Sequence, residues 1–272
     1  MTIPTPTNRP LRIAVLECDR APAKAHVKYG GYGGLYERLL VSGAEALARE
    51  HSGAHDKDGG DKGMTVVPRL EVSKYDVKHE GVYPAALEDV DAVLLSGSKF
   101  NAYDNDSWIL KLVAYVQSIL AQTRVRLIGV CFGHQIIGRA LGAAVSSGEG
   151  GWETSVTHMS LTPKGQEVFG CGKTLTIHQM HKDIVRSVPP GIELLASTAI
   201  CQNQSMYSPG RLMTIQGHPE FNAEVMTEIL ETRHASGVFD DGMFEEAMSR
   251  VARKQHGVDV VGKAFVRFAL EG

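Results

Sequence analysis

Three short apolar runs rich in β-branched residues, LRIAVL (11–16), DAVLLS (91–96) and VRLIGV (125–130), are each bounded by charge or glycine. That is the pattern of strands buried on both faces. Between the last two, DNDSWILKLVAYVQSILAQ (104–122) places apolar residues at helical spacing after an Asp/Ser cap cluster. Strand, helix, strand predicts a parallel crossover. FGHQIIGRALG then reads as a short helix stopped at Gly142, and SVTHMSL (155–161), KTLTIH (173–178), IELLAST (192–198) and RLMTIQ (211–216) read as further strands. Three amphipathic stretches across 222–272 read as helices closing the carboxyl end on the same domain. The order predicts one α/β domain over 1–272, with a mostly parallel central sheet and helices on both faces.

Two segments break the pattern. HSGAHDKDGGDKG (51–63) has no apolar residue larger than alanine and reads as a mobile surface insertion. KYGGYGGLY (28–36) is rich in glycine but lacks the lysine and serine of a phosphate-binding loop, so it reads as a substrate-facing loop or a plain turn.

Composition adds exclusions. With 272 residues, 43% hydrophobic and 22% charged, the chain is able to bury a sizeable core. A net charge of −3 gives no electrostatic footprint for nucleic acid or an anionic membrane, so neither is expected as a partner. The four cysteines are scattered, without a C-x-x-C pair, which signals neither a disulfide framework nor a thiolate zinc site. The amino end lacks the apolar core of a signal peptide, and a cytoplasmic location is the expectation.

The candidate chemistry centres on LIGVCFGHQIIGRALG (127–142). Cys131 is a core hydrophobe on the bland reading. The local order is strand, cysteine, helix, with Gly129 and Gly133 two positions either side, which is the layout of a nucleophile elbow. The helix after it aims its first N–H groups and its dipole at the sulfur, favouring thiolate. A base is then required, and IQGHPEF (215–221) follows a predicted strand. Pro219 biases His218 toward extended backbone, letting His218 and Glu220 project to one side, with Glu220 holding the imidazole tautomer that receives the thiol proton. Taken alone, Gly-His-Pro-Glu is also what a capped turn looks like; the pairing with an elbow cysteine favours catalysis.

GVCFGHQIIGRALGA followed by GHPEF resembles the class I glutamine amidotransferase family, and the resemblance runs from about 11 to 236. It implies a flavodoxin-like fold and a Cys–His–Glu triad of Cys131, His218 and Glu220 acting on the γ-amide of glutamine through a glutamyl thioester. It implies an oxyanion hole from the amide of Phe132 and the turn at Gly97 and Ser98, and a substrate-facing side chain at Gln135. Around GEGGWETSV (148–156), where that family binds the ends of the glutamyl group, Glu153 is expected either to pair with the α-ammonium or to be a solvated acid. Trp152 there either walls the pocket or packs. His181, with Asp183, is given a supporting or gating role at the site's border, against a plain core histidine. His178 and His181 lie three apart but lack a third ligand, so no metal is expected, nor any cofactor.

YGGYGGLYERLL, SGSKFNAYDNDSWILKL (96–112), MHKDIVRSVPPGIELLAST (180–198) and MYSPGRLMTIQGHPEFNAEV (206–225) further resemble the stand-alone γ-glutamyl peptidases of that superfamily. This implies hydrolysis of γ-glutamyl peptides such as glutathione or its conjugates, by a small-molecule enzyme acting alone. The alternative is a glutaminase subunit supplying ammonia to a synthetase partner. Tyr32, Tyr103 and Trp108 lie near the glycine turns, where aromatics either stack on such a ligand or pack.

Overall fold

A computed structural model of the chain describes residues 9–55, 67–121 and 124–271, with backbone alone for 51–55. Its first half runs β1 (Leu11–Glu17), α1 (Ala23–Tyr29), α2 (Gly31–His55), β2 (Leu70–Asp76), β3 (Ala92–Leu95), α3 (Ser107–Leu120), β4 (Arg126–Val130) and α4 (Phe132–Ala140). There follow β5 (Val145–Ser147), β6 (Glu153–Leu161), α5 (Pro163–Phe169), β7 (Thr174–His181), β8 (Asp183–Val185), β9 (Glu193–Ser197), β10 (Ser205–Ser208) and β11 (Leu212–Ile215). The chain closes with α6 (Ala223–Ala235), α7 (Asp241–Met248), and a π-helical turn, Gly257–Gly262, that runs into α8 (Lys263–Leu270). Among the described residues no helix is long and apolar enough to cross a membrane.

The main sheet has the order β2-β1-β3-β4-β11-β10-β9-β6-β7. The strands from β2 to β11 pair in parallel, as the crossovers predict, and the remaining pairings out to β7 are antiparallel. In the parallel half, Val15 pairs with Leu94, Leu94 with Ile128, and Ile128 with Met213, so the carboxyl ends of β1, β3, β4 and β11 open at one edge. That edge is where ligands bind in open α/β sheets.

Period-two alternation makes two cores. Ile13, Val15, Ala92, Leu94, Ile128 and Val130 face one side, under α2, α6 and α8; Ala14, Leu16, Val93, Leu95 and Leu127 face the other, under α3 and α4. The uninterrupted apolar runs in the sequence are these two faces read together. The single α/β domain with helices on both faces is the architecture expected.

Two expectations are corrected. KYGGYGGLY is neither a loop nor a simple turn: it ends α1 at Gly30, which has φ 77°, and begins α2 at Gly31. Its glycines serve close packing, since a Cβ on Gly34 would lie 1.6 Å from the Tyr29 carbonyl oxygen. The start of α2 is held by Glu17, whose carboxylate accepts the Gly33 N–H at 2.7 Å. The supposed insertion at 51–63 begins inside the last turns of α2, at 51–55; its remaining residues lie outside the described ones.

Candidate active site

Cys131 sits between the end of β4 and the start of α4 with φ 51°, one of two non-glycine residues among those described at positive φ. A non-glycine residue holds that conformation only when its surroundings fix it. Here the Cys131 N–H donates to the Ile215 carbonyl at 2.9 Å and its carbonyl accepts from Gln135 N at 3.0 Å, pinning the turn between β11 and α4. The side chain is thereby pushed to the sheet edge at the amino end of α4.

His218 follows β11 and is fixed by its own backbone, since its N–H donates to the His178 carbonyl at 2.7 Å in an isolated antiparallel bridge. Its ring lies flat against Phe221, with centroids 4.1 Å apart and planes at 3°, and Phe221 in turn stacks on Tyr32. Nδ1 meets Glu220 Oε1 at 2.7 Å, and the imidazole lies close enough to the Cys131 sulfur to feel its charge. All three are interior: Cys131 is 5% exposed, His218 3% and Glu220 7%. Burial pushes the His218 pKa down, but the Glu220 carboxylate and the Cys131 sulfur outweigh it and raise the value to about 10. His218 therefore carries its proton at neutral pH, between a carboxylate and a sulfur. His178, behind it, is pushed down to about 4 by burial and by the His218 charge, and stays neutral.

Gly97, after β3, completes this corner. A Cβ there would stand 2.7 Å from His218 Cε1 and 3.6 Å from Cys131 Cβ, so only glycine leaves room for the ring. Gly97, expected to supply an oxyanion donor, thus stands against both the imidazole and the cysteine. The Tyr36 hydroxyl donates to Glu220 Oε1 at 2.9 Å. The amides of Ser98 and Phe132 make no hydrogen bond among the described residues. Ser98 Oγ is occupied, accepting from Phe100 N.

The residues expected to contact substrate have partners inside the protein. Gln135 uses both amide hydrogens inside the protein, on the Asp183 carbonyl and on Gln216 Oε1, each at 3.0 Å. That leaves only its oxygen for any other partner. Glu153 is no solvated acid. Its Oε2 lies 3.0 Å from His181 Nε2 and also accepts from Gln204, while His181 Nδ1 faces the Asp183 carbonyl at 3.1 Å. Both side chains are buried, and the pair ties β6 to β7. Trp152 packs: its ring meets Phe239 edge-on at 5.3 Å, and the Arg233 guanidinium lies 4.6 Å over it. Trp108 stacks on Phe132 at 5.5 Å in the second core, while Tyr103 is exposed.

Glu153, His181 and Cys201 are the group whose atoms come close enough to hold a metal ion among the described residues, all lying within 4.8 Å. The donor set does not fit one. His181 Nε2 and Glu153 Oε2 already satisfy each other, and burial together with Glu153 pushes the Cys201 thiol up to about 12, keeping it protonated.

Sequence reasoning missed Tyr36 and the clamp of Phe221 on the imidazole. Tyr32 and Tyr36 were visible as an i, i+4 pair, but only once 31–36 is seen to be helical.

The profile of the family described as glutamine amidotransferase class-I matches residues 62–235. A putative glutamine amidotransferase-like protein of Schizosaccharomyces pombe is 33% identical over 263 residues, 95% of this chain and 98% of that one. Gamma-glutamyl peptidase 3 of Arabidopsis thaliana is 32% identical over 152 residues, 53% of this chain and 60% of its own. Among solved structures, a glutamine amidotransferase from Thermotoga maritima superposes with a TM-score of 0.65 at 17% identity, over 97% of this chain and 98% of that one. That likeness concerns the fold.

Proposed function

We propose that this chain, which belongs to the class-I glutamine amidotransferase family, is a cysteine hydrolase of γ-glutamyl amide bonds acting on γ-glutamyl peptides of the glutathione type. The observation that carries this reading is His218, held by Glu220 on one side and sharing the Gly97 corner with a Cys131 held at positive φ.

The chemistry follows from the placement. The Cys131 sulfur attacks the γ-carbonyl carbon, and the carbonyl electrons move onto oxygen. The free amides of Phe132 and Ser98 receive that oxyanion. His218 gives its proton to the nitrogen, the C–N bond breaks, and a γ-glutamyl thioester remains on Cys131. Water attacks the thioester while His218 takes one proton from it, and C–S cleavage releases glutamate and restores the sulfur. Glu220 stabilises the imidazolium throughout, and Tyr36 and Phe221 keep the ring in place.

The relatives support both a peptide and a glutamine substrate by name, since γ-glutamyl peptidases and amidotransferase-like proteins both occur among them. The purified chain is incubated with glutathione, a glutathione S-conjugate or glutamine, and released glutamate is measured against Cys131→Ala. Release from the peptides that is lost in the variant is the expected result. Release from glutamine alone would favour a glutaminase that serves a synthetase partner.

A further inference from the structure

Arg233, in the last turn of α6, is half-buried, and its guanidinium carbon lies 4.6 Å from the Trp152 ring centroid and 5.9 Å from that of Phe239. Two aromatic faces hold a planar cation in a fixed orientation. The other well-engaged arginines of the fold have acceptors. Arg139 donates to the carbonyls of Ala102 and Asp104, and Arg250 to Glu246 and to the backbone of β6. Arg233 has no acidic partner and no hydrogen-bond acceptor for its guanidinium among the described residues. Of the two rings that hold it, Phe239 belongs to the same core cluster as Cys131, Tyr32 and Phe221 and Trp152 packs against that cluster, and Cys131 and Tyr32 both offset what burial does to its charge.

A guanidinium partly withdrawn from water and left unpaired is costly unless an anion arrives, and its planar fork matches a carboxylate. We infer that Arg233 pairs with a carboxylate of the bound substrate and so determines which γ-glutamyl compounds the site accepts. This inference rests on the proposed γ-glutamyl hydrolysis. Such substrates carry a carboxylate at two places: the α-carboxylate of the glutamyl group, and the carboxyl end of the peptide that leaves. Trp152 and Phe239 position the cation, and the anion completes its coordination.

The test compares wild type, Arg233→Met and Arg233→Lys on glutathione, on glutathione amidated at its carboxyl end, and on glutamine. Binding of the same three compounds is measured in parallel by calorimetry on the Cys131→Ala background. Arg233→Met is expected to raise KM and Kd for glutathione at least about tenfold with kcat changed far less, and Arg233→Lys to recover part of that loss. A loss confined to glutathione, with the amide already weak for wild type, assigns the peptide's carboxyl end. An equal loss on all three assigns the α-carboxylate. Unchanged KM and Kd for every compound, or a uniform fall in kcat at unchanged KM and Kd, overturns the inference. If the wild type turns over none of the compounds, the hydrolase reading fails by itself, and the calorimetry still decides on Arg233.

Discussion

Among the described residues there are two buried sets of cysteine, histidine and glutamate. Cys131, His218 and Glu220 lie at the open edge of the parallel half; Cys201, His181 and Glu153 lie in the antiparallel half. Their residue types are identical and their chemistry is not. His218 spends Nδ1 on Glu220 and keeps its other side for the sulfur, whereas His181 spends Nε2 on Glu153 and turns Nδ1 to the Asp183 carbonyl. Cys131 is held at positive φ at the start of a helix, while the Cys201 thiol donates to the Asn203 carbonyl and is pushed up to about 12. Reactivity comes from which nitrogen is left free and from the backbone that presents the sulfur. The second set joins β6 to β7, and the proposal gives it no chemical step.

The sharpest contrast is between the cysteines. Cys131→Ala should lower γ-glutamyl hydrolysis by about 10⁴-fold or more, and Cys201→Ser should leave it within about twofold, by steady-state assay. Glu220→Gln removes the acceptor that orients the ring and should cost about 10³-fold in kcat with the fold intact by circular dichroism. Gly97→Ala should cost about 10²-fold in kcat, because the added methyl displaces the imidazole; KM should move little.

The second set should answer in stability instead. His181→Ala strands the Glu153 carboxylate in the interior and should destabilise the protein by about 3 kcal/mol in urea, with kcat per folded molecule changed no more than about threefold. A loss of kcat without a loss of stability would erase the distinction between the two sets. The smallest effect concerns pH. The folded pKa of His218 is raised to about 10 from 6.5, so its charge contributes stability in full below about pH 6.5, and that contribution is lost as pH rises through 10. The Tm difference between wild type and His218→Gln should therefore shrink between pH 6 and about pH 10.5. An NMR titration of the imidazole should also show its pKa falling in Cys131→Ala.

The sequence announced the proposed catalytic corner because its signals are local. An apolar strand, a cysteine flanked by glycines, and Gly-His-Pro-Glu after another strand each occupy a few consecutive residues. The corner's support is not local: Tyr36 reaches Glu220 across 184 positions. Of the two readings of Glu153 the solvated one fell for the same reason, since a carboxylate in GEGGWET gives no local sign of the His181 and Gln204 that surround it in the sheet. β2 went unseen because it is an edge strand whose sequence, LEVSKYD, is half polar. The 25-residue α2 was hidden by glycines that look like loop chemistry and serve instead to let α1 and α2 touch.

The central claim is that Cys131 carries the γ-glutamyl group during turnover. Acid quenching of the enzyme within its first turnovers on glutathione, followed by peptide mass analysis, reads this directly. The account predicts one γ-glutamyl group, removable by hydroxylamine, on the peptide bearing Cys131 and absent from Cys131→Ala. Release of glutamate with no adduct on Cys131, or with the adduct on Cys201, would contradict it.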